Sequence, residues 1–258
     1  MKLLVCIWAI AINTVRESIR NKILYALLFF AVLMIGSGVV VGALSYVERE
    51  RILQDVGLAA IRLFSVAIAI FVGINLIYKE VDRRTVYTIL SKPLSRATFL
   101  VGKYVGLTLT IWMQMSIMGA AFVGVSLAAG APLAWQHGAF FLLTAAELAL
   151  VVAIATFFSA FTTPMLASFF TTGVWVVGQL TRNLRDIGAR SESPTVAAAT
   201  AALHRLLPDL EGLNLASEAA HLLPITPSDV LFPLSYAFGY VMVVLLGAAF
   251  LFERRDLR

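Results

Sequence analysis

The sequence predicts an all-α integral membrane protein with six transmembrane helices. An interfacial helix precedes the first span, a short cytoplasmic helix joins the second to the third, and short outer-leaflet helices precede the last. Two observations carry this reading. Hydrophobic residues make up 60% of the 258 and charged residues 14%, with a mean hydropathy of +0.89. An ordinary soluble domain has about 25% charged residues, and its core has no room for this much apolar surface, so lipid must be the solvent. Apolar runs of about 20 residues, the length that crosses the hydrocarbon core, occur six times in what reads as one domain over 1–258.

The opening "MKLLVCIWAIAINTV" has the lysine and apolar run of a signal peptide but lacks a small-residue cleavage site, and Cys6 lies too close to Met1 for a lipoprotein leader. From Asn13 the pattern turns amphipathic, with Arg16, Glu17, Arg20 and Asn21 set among Val15 and Ile19. Residues 2–20 therefore read as a helix lying in the inner interface. The spans follow at about 23–46, 57–78, 98–128, 138–160, 163–181 and 229–252. Pro164, in "FTTPM", separates the fourth from the fifth, because 138–181 is too long for one crossing. The segment 181–228 is the long hydrophilic stretch. "TVAAATAALHRLL" has helical composition, and Pro208, Pro224 and Pro227 cut the rest into short amphipathic pieces on, or dipping into, the outer leaflet.

Basic residues set the orientation. With both termini cytoplasmic, thirteen Lys and Arg lie inside, among them Lys79, Arg83, Arg84, Lys92, Arg96 and Lys103, against six outside. That asymmetry obeys the positive-inside rule, and the same charge needs no nucleic-acid partner to explain it.

Catalytic signatures are missing from the sequence. His137, His204 and His221 are scattered, one cysteine gives no thiolate metal site, and neither an HExxH nor a GxSxG is present. "VGKY" around Lys103 lacks the glycine and hydroxyl residue of a phosphate-binding loop, so any ATP energy has to come from another polypeptide. Two ionisable residues lie inside spans. Glu147, in "TAAELALVV", costs about 2.5–3.5 kcal/mol if it faces lipid at a helix centre. It reads either as a hydrogen-bonded group joining helices or as the lining of a substrate path. Arg62, near the outer end of the second span, is expected to snorkel to the surface. Gly38–Gly42 and Gly102–Gly106 have the small-xxx-small spacing of close helix contacts.

The stretch "YKEVDRRTVYTILSKPLSR" concentrates charge between two apolar runs. Val86, Ile89 and Leu90 recur at i, i+3, i+4, Asp82 is placed to cap, and Pro93 disfavours helix at Lys92. A short amphipathic helix over about 80–92 follows. Pattern alone leaves two readings: an interfacial helix on anionic headgroups, or a docking knob for a soluble protein.

That stretch, extended to "YKEVDRRTVYTILSKPLSRATFLVGKY", resembles the most recognisable segment of the ABC-2 type permeases, the membrane subunits of one class of ATP-binding-cassette transporters. "NTVRESIRNKILYALLFFAVLMIG", "LLPDLEGLNL" and the terminal "FERRDL" are similar to that family too, particularly its branch of nitrous-oxide-reductase maturation and gliding motility. Arg84 stands where the family's Glu-x-x-x-Gly-Thr usually has glycine. The resemblance implies that residues 2–20 are an elbow helix and that 80–92 is a coupling helix seated in an ATPase cleft. Glu80, Asp82, Arg83 and Arg84 would select the partner, Val86, Ile89 and Leu90 would supply buried area, and Thr85, Pro93 and Arg96 would complete the docking set. It further implies a bacterial inner-membrane complex of two permeases, identical or paralogous, with two ATPases. ATP and magnesium would sit on the ATPases, with no cofactor on this chain. The implied role is export of lipid-linked, amphipathic or polymeric cargo. The alternative is a non-transporting module that passes ATPase-driven force to a periplasmic or envelope protein.

Overall fold

The computed structural model describes residues 2–44, 49–82, 96–181 and 207–254, and within 182–206 residues 186, 187, 193, 195–198, 200 and 202. Its regular elements are α1 (Lys2–Ile19), α2 (Lys22–Ala43), α3 (Arg49–Asp82), α4 (Arg96–Ala129), α5 (Trp135–Ser159), α6 (Pro164–Gln179), a 3-10 turn (Glu211–Leu213), α7 (Ala216–Ala220) and α8 (Pro227–Arg254). No strand occurs among the described residues.

Five of these helices contain stretches long and apolar enough to cross a membrane: Lys22–Ala43, Arg49–Ile74, Ala97–Ala129, Trp135–Ser159 and Pro227–Phe252. The chain is a multi-pass membrane protein. The fifth expected span, 163–181, forms α6, which has 16 residues. At 1.5 Å per residue it is about 24 Å long, short of the roughly 30 Å hydrocarbon core. Pro164 opens it at the position where proline's missing N–H costs nothing.

One boundary is corrected. The second span was expected at 57–78, yet α3 begins at Arg49 and continues unbroken to Asp82. Glu80 and Asp82 therefore stand in the last turn of α3. Residues 83–95 of the expected coupling helix lie outside the described residues.

The bundle is organised around α3 and α5. In each, 67% of the best spanning window is buried, against 22% for α2 and 11% for α8. The outward faces of α2 and α8 carry Phe29, Phe30, Phe232, Phe238 and Val243, side chains that lipid solvates without cost. Hydroxyls inside the bundle are accommodated by their own helices. Thr14, Ser18, Thr110 and Thr156 each donate to the carbonyl four residues back, at 2.7–2.9 Å.

Both glycine pairs work as close contacts. A Cβ at Gly42 would come within 2.8 Å of the Arg49 carbonyl oxygen, and one at Gly38 within 3.2 Å of Leu53, so α2 and the start of α3 lie nearly backbone to backbone. On α4, a Cβ at Gly102 would stand 2.8 Å from Ile10 and one at Gly106 2.6 Å from Thr14. The α1 stripe facing α4 is accordingly small (Ala11, Thr14, Ser18), while Leu4, Val5 and Trp8 point away.

Candidate functional site

Arg62 stands at the midpoint of the apolar part of α3, about 20 Å from Arg49, and Glu147 at the midpoint of α5, about 18 Å from either end. Neither charge can be left facing hydrocarbon, and packing of α3 against α5 lets each satisfy the other. Arg62 Nε donates to Glu147 Oε2 at 2.7 Å and Nη2 to Oε1 at 3.0 Å, the bidentate geometry that suits guanidinium and carboxylate. Trp175 Nε1 and Gln179 Nε2, both from α6, add donations to Oε1 at 3.1 and 2.9 Å. Glu147 is fully buried and Arg62 keeps 12% of its side-chain exposure. A carboxylate that accepts from four donors is a joint between helices.

Gln179 is the last residue of α6, so this helix ends level with the middle of α3 and α5. A helix end at that depth leaves carbonyls that water cannot reach, and the chain has to cap them itself. Leu180 N donates to Val177 O at 2.9 Å. The Leu210 N–H, from a distant segment, donates to Gly178 O at 3.1 Å, and the Thr181 hydroxyl lies between Gly178 O and Asp209 Oδ1 at 3.1 and 3.0 Å. Gly178 permits the approach, because a Cβ there would stand 2.8 Å from Leu210 Cδ1 and 2.9 Å from Pro208 O. Arg62 Nη2 completes the cap, donating to Gln179 Oε1 at 2.9 Å and to Leu210 O at 3.3 Å. A cation beside the C-terminus of α6 also complements the helix dipole.

The turn 208–213, three irregular residues followed by the 3-10 turn, is therefore a piece of backbone inside the bundle that is not α-helical. Asp209 Oδ1 accepts from Gly212 N at 3.1 Å, and Asp209 N donates to the Tyr236 hydroxyl at 3.0 Å. Tyr236 lies nine residues into α8, about 13 Å from its start, which agrees with the depth given by Arg62 and Glu147. From Leu210 the chain climbs. Leu213, Leu215, Ala219 and Ala220 are buried, and α7 packs on both α3 and α5. Leu223 O then accepts from Gln136 Nε2 at 3.3 Å, at the first turn of α5. Pro227 starts the last helix from that end of the bundle. A cleft of 410 Å³ lined by Trp135, Leu142, Val230 and Leu231 opens between α5 and α8 at the same end and is apolar throughout, separate from the charged cluster.

The sequence model of the ABC-2 family transporter proteins matches residues 8–257. The chain belongs to that family. It is the membrane component of an ATP-binding-cassette transporter, matched from α1 through the last helix. A search of curated proteins gives no match.

In this permease the residues singled out by sequence fall into three groups. Arg62 and Glu147 come together, and the expected snorkelling of Arg62 is corrected: it points inward, because a bidentate partner lies at its own depth. Glu80 and Asp82 stand at the end of α3 and Arg96 at the start of α4. Arg83, Arg84, Thr85, Val86, Ile89, Leu90 and Pro93 lie outside the described residues. Lys103, counted above as a cytoplasmic anchor, is 3% exposed and pairs with Glu17 of α1 at 3.5 Å. Gln179, Trp175 and the Leu210 carbonyl were not anticipated. Their signal was indirect: two opposite charges, each at the centre of its own apolar run, need neutral donors and acceptors around them.

Proposed function

We propose that the chain is a permease subunit that pairs with a second permease and two ABC ATPases to export or extrude a substrate, driven by ATP and magnesium held on the ATPases. The observation that carries this reading, beside the family match, is the continuity of α3. It runs 34 residues from Arg49 to Asp82, and α4 starts at Arg96 and runs 34 more. The segment 83–95 thus lies in sequence between two long helices, one of them central to the bundle. A docking knob needs that construction if ATPase closure is to move membrane helices.

On this reading six spans cross the inner membrane with both termini cytoplasmic. The fifth span is short: α6 reaches mid-depth, and 208–213 lies at the same level of the bundle. Helix α1 is the elbow, held to α4 by the Gly102–Gly106 contact. Val86, Ile89 and Leu90 seat the coupling helix in the ATPase, and the charges of Glu80, Asp82, Arg83 and Arg84 set its register.

Ile89→Asp tests the proposal. A charge placed in a packed docking site without a partner weakens binding by several kcal/mol, each 1.4 kcal/mol being about tenfold in affinity. The variant should reach the membrane at normal levels while co-purification with the ATPase and cargo-stimulated hydrolysis both collapse. Unchanged ATPase binding and activity would show that 83–95 is a membrane-surface element.

A further inference from the structure

We infer that Arg62 and Glu147 are positioning residues for the outward exit of the transport path, holding the end of α6 and the turn 208–213 closed until α3 moves against α5. This rests on the coupling role proposed for 83–95. The turn and the end of α6 are joined at several points and pack on α3, and one α3 nitrogen, Arg62 Nη2, hydrogen-bonds to both, reaching Gln179 Oε1 at 2.9 Å and Leu210 O at 3.3 Å. Arg62 and Asp82 share one uninterrupted helix, with about 30 Å between them. A displacement applied at the cytoplasmic end of α3 therefore arrives at Nη2 undiminished.

Hydrogen bonds fail over small distances. A helix shift of about 1–2 Å, common in switching proteins, takes contacts of 2.9–3.3 Å beyond bonding range. Once the Nη2 contacts break, Leu210 O and Gln179 Oε1 lose their donor at a depth where lipid offers none. The state is tolerable only if water enters, and non-helical backbone at membrane depth is found only where it is packed in protein or lines a wet cavity. The site therefore has two arrangements, one dry and latched and one open and hydrated. The side chains that water would meet along the turn and the start of α7 include Asp209, Glu211 and Glu218 at half-buried positions, which gives the open passage a polar wall. Bistability of this kind turns a small helix movement into a gate.

The test uses the assembled transporter in proteoliposomes, with Leu213→Cys as a reporter in a Cys6→Ser background. Leu213 is fully buried in the closed state. The readout is its reaction with a membrane-impermeant maleimide applied from the side of α7. Labelling should be slow in one nucleotide state and faster on the order of tenfold in another, as when a minor open state of a few per cent becomes dominant. Glu147→Leu removes the latch but leaves Arg62 without its counter-charge, so assembly itself is at risk. Gln179→Leu leaves the Arg62–Glu147 pair whole and removes the Arg62 hydrogen bond to α6, so that Nη2 keeps only its longer 3.3 Å contact with Leu210 O. With Gln179→Leu, labelling should be fast in every nucleotide state while the ATPases stay bound and keep hydrolysing. If Gln179→Leu labels as slowly and as nucleotide-dependently as its parent, the latch is overturned. If the parent shows no nucleotide response but Gln179→Leu still labels faster, the latch stands and the coupling role of 83–95 fails. If neither responds, both readings fall.

Discussion

Arg62–Glu147 at the centre of the bundle and Lys103–Glu17 at the seam of α1 and α4 each set a base on one long helix against an acid on another. The central pair is bidentate, shares its carboxylate with Trp175 and Gln179, and leaves the acid fully buried. The seam pair is a single contact at 3.5 Å whose acid keeps 34% of its side-chain exposure. What joins α1 to α4 is the close approach at Gly102 and Gly106. The difference shows two ways of fastening helices in lipid. Where backbones can touch, small residues suffice and a charge is an accessory. Where a helix end and a non-helical turn have to be held at depth, the polar groups themselves are the fastening.

Glu147→Leu should break the comparison at its strong side. It leaves Arg62 buried beside neutral groups, and removing one partner of a buried pair costs about 3–5 kcal/mol. Thermal unfolding in detergent should shift sharply down, whereas Glu147→Gln, which keeps an acceptor, should lie between wild type and Leu. Equal melting of all three would mean that water reaches the cluster freely. Gly106→Val comes second. Its side chain would meet Thr14 and the Ala11 backbone, and overpacking costs typically about 1–3 kcal/mol. The expected outcome is an inserted chain in which proteases cut α1 more readily, and wild-type resistance would show that α1 is held by something else. Lys103→Met should be the mildest. Glu17 can turn to water once its partner is gone, and the methionine fills the same space, so a change within about 1 kcal/mol is expected. A loss as large as that of Glu147→Leu would make the two pairs equivalent and remove the distinction.

Much of the fold is legible in the sequence because hydrocarbon imposes so few solutions. Apolar run length locates every long helix to within a few residues except α3. There the polar turn "RERILQD" continues the helix to Arg49, and hydropathy detects the lipid-exposed or buried part of a helix without detecting where it starts. Charges were the harder case. Arg62 reads from its place along its own span and Lys103 from the side of the membrane it falls on, and neither says anything about a partner on another helix. Glu17 lies 86 residues from Lys103, and Glu147 lies 85 from Arg62. The turn at Leu210 was the least legible of all, because its contribution is made by backbone atoms that every residue type carries. "LLPDLEGLNL" reads as short pieces on, or dipping into, the outer leaflet, and its level in the bundle comes only from its contacts with Arg62 and Tyr236.

The seam at Gly102 and Gly106 also sets an order of assembly. Helix α1 leaves the ribosome long before α4 exists: 87 residues separate Ile19 from Gly106, on the order of ten seconds of synthesis at roughly 5–20 residues per second. Through that interval the α4 face that covers Ala11, Thr14 and Ser18 has not yet been made. Leu4, Val5 and Trp8, which point away from α4 in the finished protein, can hold α1 at the membrane surface meanwhile. Newborn chains must therefore pass through a form in which α2 and α3 are already inserted and α1 is still undocked. Quality-control proteases meet that form first, and a variant that only slows docking lowers abundance in the cell even where the finished protein would be stable.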